Sequence, residues 1–259
     1  MPGTSKAVNP DGVEIEFDEA THIYRSLVGG REIVYTSGTT FINKFFRAFD
    51  PDGVIAARKA RQMGVTPEEV KAQWKAKADA ACELGTRVHE TCEDVLHGAA
   101  ERRNKPQNDH ERHLMDAGIA AARVVKERLE VVGIERVVFN IPIRIAGTID
   151  LLCRSKSNRN LWWILDWKTN ARIDFDSRFN NYGIAPINHL YDCSGVHYAL
   201  QLSLYEFLLR AGAYIPHEAE VRRGIYHLTD AGPHFYELPN YGVEVRDMII
   251  NYLAKGGAA

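Results

Sequence analysis

Two aspartates and a lysine follow two apolar segments in the middle of the chain. Residues 145–169 read IAGTIDLLCRSKSNRNLWWILDWKT, in which Asp150 ends one β-type run and Asp166 and Lys168 end the next. Residues two apart on a strand point to the same face, so neighbouring strands would bring the three side chains together. Two converging carboxylates repel each other unless a hard cation such as Mg²⁺ or Mn²⁺ lies between them. The segment therefore predicts a metal-dependent hydrolytic site in which Lys168 orients water or offsets phosphate charge; solvent-facing acids with a surface lysine are the alternative.

A second cluster of polar residues lies upstream, in the stretch GTRVHETCE at residues 85–93. His89 and Glu93 are four residues apart, so a helix would place them on one face. Histidine is a frequent metal ligand, and Arg87 is near enough in sequence to contact a phosphate. An ordinary solvated helix with a satisfied histidine is the alternative for this cluster taken alone.

A third cluster lies in the apolar stretch HYALQLSLYEFLL at residues 197–209. Gln201 and Tyr205 are four residues apart, so they also share a helical face. They form a polar position on an otherwise apolar helix. Helix amphipathicity, with a tyrosine hydroxyl that reaches water, explains this pair equally well when it is considered alone.

The elements that must position these residues are predicted from the change in apolar period along the chain. The core order is helix, three strands, helix, two strands and helix, which is typical of an α/β fold with a central sheet. The N-terminal part predicts a hairpin with a turn at Gly29 and Gly30, a helix at 39–49, a short helix opened by Asp50 and Pro51, and a helix from a Thr66 capping box towards Leu96, with Gly85 as the candidate position for a break. The remaining predictions are a helix at about 109–129, strands at 136–141, 143–153 and 161–167, a poorly periodic stretch at 170–194, a helix at 197–210, strands at 221–229 and 234–238, and a helix at 241–253.

Composition limits the classes of function. The 259 residues contain 32 Lys and Arg against 34 Asp and Glu, a formal charge of −2, so nucleic-acid contact must rest on a local basic patch. The four cysteines have no CxxC spacing, and we interpret them as reduced thiols of an intracellular protein. The first residues lack the apolar segment of a signal peptide, and no run is long enough to predict membrane contact.

Taken in order, GTRVHETCE, IAGTIDLL, ILDWKT and QLSLY resemble the GxxxH, GxxD, DxK and QxxxY motifs of the RecB-like branch of the PD-(D/E)XK nuclease superfamily. The N-terminal region resembles, more loosely, the leader of small stand-alone members such as mitochondrial genome maintenance exonuclease and phage-type nucleases. The resemblance implies a restriction-endonuclease-like core with a central mixed sheet flanked by helices. It also implies an N-terminal hairpin and helical region at 1–81 that packs on a nuclease core at 82–259.

The resemblance also implies roles for individual residues. The metal ligands would be His89, Asp150 and Asp166, with the carbonyl of Trp167 facing the metal, and Lys168 would be the catalytic lysine. The residues implied to support the site or contact nucleic acid are Gln201, Tyr205, Arg87, Glu93 and, as a weaker candidate, Glu135. Many relatives hold an iron–sulfur cluster with three cysteines after the core, but this chain has no cysteine after Cys193, so no such cluster is expected.

The resulting functional prediction is a Mg²⁺- or Mn²⁺-dependent deoxyribonuclease that acts as an exonuclease on DNA ends in repair, recombination or replication. We expect residues 170–194 and the N-terminal helices at 41–49 to wall a channel, in which Phe45, Phe46, Phe175, Phe179 and Tyr182 stack unpaired bases. Single-strand preference is expected from the resemblance. The alternatives are an inactive nucleic-acid-binding or assembly protein on a nuclease-derived scaffold, or an endonuclease subunit of a larger complex.

Overall fold

A computed structural model of the protein describes residues 4–48, 54–177 and 180–257. The strands form one nine-stranded mixed sheet. The strands are β1 (Thr4–Val8), β2 (Glu14–Asp18), β3 (Ile23–Val28), β4 (Arg31–Ser37), β5 (Leu129–Asn140), β6 (Ile145–Ser155), β7 (Leu161–Lys168), β8 (Glu220–Thr229) and β9 (Gly232–Leu238). The helices are α1 (Gly38–Asn43), α2 (Val54–Met63), α3 (Pro67–His97), α4 (Asp109–Arg128), α5 (Ser194–Ala211) and α6 (Gly242–Ala254).

Strand β6 is the centre of the sheet. Strand β5 pairs antiparallel along the whole of one edge, while β4 and β7 share the other edge. Strand β8 continues the sheet parallel to β7, and β9 follows antiparallel to β8. The predicted core order and the predicted mixed central sheet are therefore confirmed.

Helices cover both faces of the sheet, so its central strands are buried on both sides. Helices α3 and α4 enclose one core, in which Val88, Leu114 and Trp167 are buried. Helices α1, α5 and α6 enclose the other core against residues such as Ile164 and Leu204. Within the described residues, no helix combines the length and the apolar character needed to cross a bilayer.

The N-terminal strands extend the sheet of the core. The predicted hairpin turn is confirmed: Val28 pairs with Arg31, and Gly29 and Gly30 have φ of 58° and 77°, as a tight two-residue turn requires. Thr36 and Ser37 at the end of β4 pair in parallel with the start of β6. The sheet is therefore continuous from the N-terminal strands into the core strands. The division of the chain at residue 81 stays a prediction.

One prediction about the N-terminal elements was wrong, and one N-terminal strand was missed. The helix predicted at 39–49 ends at Asn43, because Phe45 and Phe46 turn into the core and the Phe45 carbonyl accepts a hydrogen bond from the Ile184 N–H at 2.8 Å. Tertiary contacts thereby override a helical sequence pattern. Strand β1 was not predicted at all. The predicted helix start at residues 50 and 51 lies outside the described residues.

The predicted helix break near Gly85 was also wrong. Helix α3 begins with the predicted Thr66 capping box and continues unbroken to His97. A further difference is that β5 begins at Leu129, directly after α4, although the sequence predicted a strand only from residue 136. A register shift between Val131 and Gly133 interrupts the alternating pattern of β5, so the sequence did not predict the first half of the strand.

Candidate metal centre

The two predicted aspartates lie where β6 and β7 separate. The last paired residues there are Leu151 and Leu165, and the same register places Asp150 opposite Asp166. Strand β4 pairs only with the first two residues of β6, and β7 pairs with β6 from Leu151 onwards. Among the described strands, residues 147–150 of β6 therefore lie at a gap between β4 and β7. The N–H of Trp167 donates across this gap to Oδ2 of Asp150 at 3.1 Å. The gap leaves room for groups from other elements to reach the carboxylates.

Helix α3 brings His89 to this gap. Its Nδ1 lies 3.3 Å from Oδ2 of Asp150. The helix can approach because α4 carries Gly118, where an added Cβ would lie 2.6 Å from Sγ of Cys92. Burial lowers the pKa of His89 to about 4, so the ring is neutral at pH 7. Neutral imidazole is the form that binds a metal ion.

Glu135 completes a group of three possible ligands. Nitrogen or oxygen atoms of His89, Glu135 and Asp150 all lie within 4.8 Å of one another, the one such group of three or more among the described residues. In β5, Ile134 pairs with Leu151 and Arg136 pairs with Ile149. Glu135 between them therefore lies opposite Asp150. Its φ of 46° is unusual for a residue with a side chain, and backbone strain of this kind often occurs at functional sites. Desolvation and the nearby Glu93 carboxylate raise the pKa of Glu135 to about 7.

The pKa values of Asp150 and Asp166 are shifted in opposite directions. Burial and the neighbouring Asp166 raise the pKa of Asp150 well above its ordinary value. Burial alone would also raise the pKa of Asp166, but the Lys168 ammonium in contact with its Oδ2 holds that pKa below the ordinary value. Lys168 therefore favours the charged form of Asp166, whereas the surroundings of Asp150 disfavour its charged form.

The QxxxY residues support the aspartates from α5. The amide of Gln201 donates to the Tyr205 hydroxyl at 2.9 Å. The Tyr205 ring lies against Gly147, where an added Cβ would be 3.0 Å from Cζ of the ring. The glycine of the GxxD motif is therefore needed because the tyrosine of the QxxxY motif occupies the space above it. This contact fixes the strand three residues before Asp150.

The structure does not bring Arg87 to the acids. Its guanidinium donates to the buried Glu111 at 2.6 Å and to the carbonyl of Lys105 at 2.6 Å. Glu93 shares the His89 face of α3, and its carboxylate accepts from Arg103 at 2.7 Å. A phosphate-binding role for Arg87 stays a prediction, and Glu93 acts here through its charge on Glu135.

Sequence reasoning missed several residues that contact the site. Tyr198 lies over the Lys168 ammonium, with 4.8 Å from Nζ to the ring centroid. The Tyr24 hydroxyl of β3 lies 2.8 Å from Oγ1 of Thr148 in the gap. Tyr198 carried a usable signal, because it lies three residues before Gln201 and so on the same face of α5. Tyr24 carried none, since 124 residues separate it from Thr148.

The donor set fits a divalent cation. One neutral imidazole and carboxylate oxygens suit Mg²⁺, Mn²⁺ and similar ions. Oδ2 of Asp166 is buried and has no hydrogen bond of acceptable geometry, although the Lys168 ammonium touches it. An orphaned buried carboxylate oxygen at this position is consistent with a metal ligand.

Comparison with known proteins identifies the family. A family model described as the PD-(D/E)XK nuclease superfamily matches residues 107–253, more than half of the chain. The chain therefore belongs to this superfamily, which confirms the predicted restriction-endonuclease-like fold and indicates a metal-dependent nuclease. The match includes both aspartates, Lys168 and the QxxxY helix, but begins after His89. A comparison with curated proteins found no match.

Proposed function

We propose that the protein is a Mg²⁺- or Mn²⁺-dependent DNA exonuclease of the RecB-like branch, with a preference for single strands, that acts in repair, recombination or replication. The observation that carries this proposal is the convergence of His89, Glu135 and Asp150 within 4.8 Å beside the buried pair of Asp166 and Lys168. A scaffold that only bound nucleic acid would have no need for buried acids that repel each other.

Each residue of the site has a proposed role. His89, Glu135, Asp150 and Asp166 would hold the metal, and the Trp167 carbonyl would face it. A bound divalent ion would supply Lewis acidity and lower the pKa of a water molecule at the scissile phosphate. Lys168 would orient the attacking water and offset charge on the phosphate.

The loop between β7 and α5 supports a preference for unpaired ends. Tyr182 and Tyr191 stack with ring centroids 4.9 Å apart, and they are 37% and 38% exposed. A β-bridge joins the same two residues, so the rings form a fixed aromatic surface on which a base could stack.

The phenylalanines predicted to stack bases differ in their exposure. Phe175 is exposed, in agreement with that role. The prediction for Phe45 and Phe46 was wrong because both are buried, and Phe46 stacks instead on His197. Phe179 lies outside the described residues. Base stacking by the loop therefore rests on Phe175 and the stacked tyrosines.

The test compares linear and covalently closed single-stranded DNA of one sequence, each with Mg²⁺, Mn²⁺ or EDTA. We expect metal-dependent release of nucleotides from the linear strand and survival of the circle. The Lys168→Ala variant, prepared in parallel, controls for contaminating nucleases. Rapid cutting of the circle would identify an endonuclease, and no cutting of either substrate with any metal would contradict a nuclease function.

A further inference from the structure

The Lys168 ammonium has two partners in the site. It touches Oδ2 of Asp166, and it lies 4.8 Å from the centroid of the Tyr198 ring. The lysine side chain is only 17% exposed, so little water is available to replace either partner. A cation within about 6 Å of an aromatic centroid is attracted to the face of the ring.

These contacts create a competition at Asp166. The Asp166 oxygen that touches Lys168 is the one that is buried without a hydrogen bond, so a metal ion that used this oxygen would compete with the lysine. A cation bound to Asp166 would weaken the ion pair and leave the ammonium buried without its anion. An uncompensated buried charge is strongly destabilising. The lysine therefore needs a second partner when the metal binds.

The Tyr198 ring is held in place to serve as that partner. Its hydroxyl donates to Oδ1 of Asn170 at 2.7 Å, and the carbonyl of Asn170 lies 2.6 Å from Nε2 of His227. His227 is itself buried in β8. The ring is thus fixed at its outer end by the segment that follows β7 and at its backbone by α5.

We propose that Tyr198 is a positioning residue that retains the Lys168 ammonium in the site while Asp166 binds the metal. This inference rests on the proposed function, because it assumes that Asp166 is a ligand. It adds that the face of the Tyr198 ring, more than its hydroxyl group, lets the metal and the lysine occupy the site together.

The test measures the Mn²⁺ dissociation constant by calorimetry in Tyr198→Phe and Tyr198→Leu. Phenylalanine keeps the ring, so we expect a dissociation constant within about 2-fold of wild type. Leucine removes the ring, and we expect Mn²⁺ binding to weaken on the order of 10-fold. Thermal melts of both variants without metal establish that the fold is retained.

A second background separates a positioning role from a general structural one. In Lys168→Met there is no ammonium to retain, so adding Tyr198→Leu should leave the Mn²⁺ dissociation constant unchanged. The same loss in both backgrounds, or equal losses for phenylalanine and leucine, would overturn the inference. If the wild type binds Mn²⁺ and Tyr198→Leu binds it equally well, the inference is overturned while the proposed function stays intact. If the wild type does not bind Mn²⁺, both are overturned.

Discussion

Replacing Gly147 with alanine should destabilise the protein, because the Tyr205 ring occupies the space that a Cβ needs. The added atom would lie 3.0 Å from Cζ of the ring and closer still to Cε1. The ring is 5% exposed and its hydroxyl is bonded to Gln201, so it has little room to withdraw. Overpacking of a core costs about 1–3 kcal/mol. We therefore expect the free energy of unfolding to fall by about 2 kcal/mol, roughly a 30-fold change in the folded-to-unfolded ratio.

The glycine of the GxxxH motif provides a matched control. Gly85 lies inside α3, and a Cβ there would have Thr169 Oγ1 as its nearest neighbour at 3.5 Å, an ordinary contact. Alanine in a helix interior is favoured over glycine by about 1 kcal/mol. Urea unfolding followed by circular dichroism in EDTA should therefore show a lower midpoint for Gly147→Ala and a higher midpoint for Gly85→Ala.

The cause of the destabilisation is tested in a Tyr205→Leu background. If the clash with the ring is responsible, Gly147→Ala should cost at least about 1 kcal/mol less once the ring is removed, because contacting residues are energetically coupled. An equal cost in both backgrounds would refute the reasoning, since it would place the strain in the backbone of β6 and not in the contact with α5.

Three further predictions concern the polar residues of the site. Lys168→Ala should reduce cleavage by about 100-fold or more, as loss of a charge-stabilising group does, while binding of single-stranded DNA in EDTA is retained; wild-type turnover would exclude a catalytic role. His89→Ala should weaken Mn²⁺ binding in calorimetry, whereas His97→Ala, at the exposed end of the same helix, should not. The folded-state pKa of Glu135 is raised to about 7, so its stabilising contribution is present below about 4.5 and is lost as the pH rises through about 7. The unfolding free energy of Glu135→Gln relative to wild type should therefore increase between those pH values in EDTA; an unchanged difference would contradict the raised pKa.

The core of the fold was predictable because its elements have strong and regular patterns. Strand β7 opens with the apolar run LWWIL, and α5 and α6 each carry one long apolar face. Segments with such patterns adopt their secondary structure with little dependence on distant contacts. The sequence argument required the strands of Asp150 and Asp166 to be neighbours, and the structure pairs β6 with β7.

The parts that the sequence did not predict depend on tertiary contacts. The segment after Asn43 has a helical pattern, yet it leaves the helix because Phe45 and Phe46 are buried against other elements. The first half of β5 was not predicted, because a register shift interrupts its pattern. The left-handed backbone of Glu135 has no local sequence signature such as a glycine. The sequence therefore ranked Glu135 as a weak candidate, although its carboxylate lies in the group of three possible ligands.

The charges of the site explain how the fold keeps two acids in its interior without a bound cation. Lys168 compensates the charge of Asp166, whereas burial and the neighbouring Asp166 raise the pKa of Asp150 and so disfavour a second charge. In the proposed function, a divalent ion would favour the deprotonated form of Asp150 and would compete with Lys168 for Asp166. Under the proposed function, metal binding would therefore change the charge balance around both carboxylates. A fixed aromatic partner for the displaced lysine follows from that requirement, and Tyr198 lies where such a partner is needed.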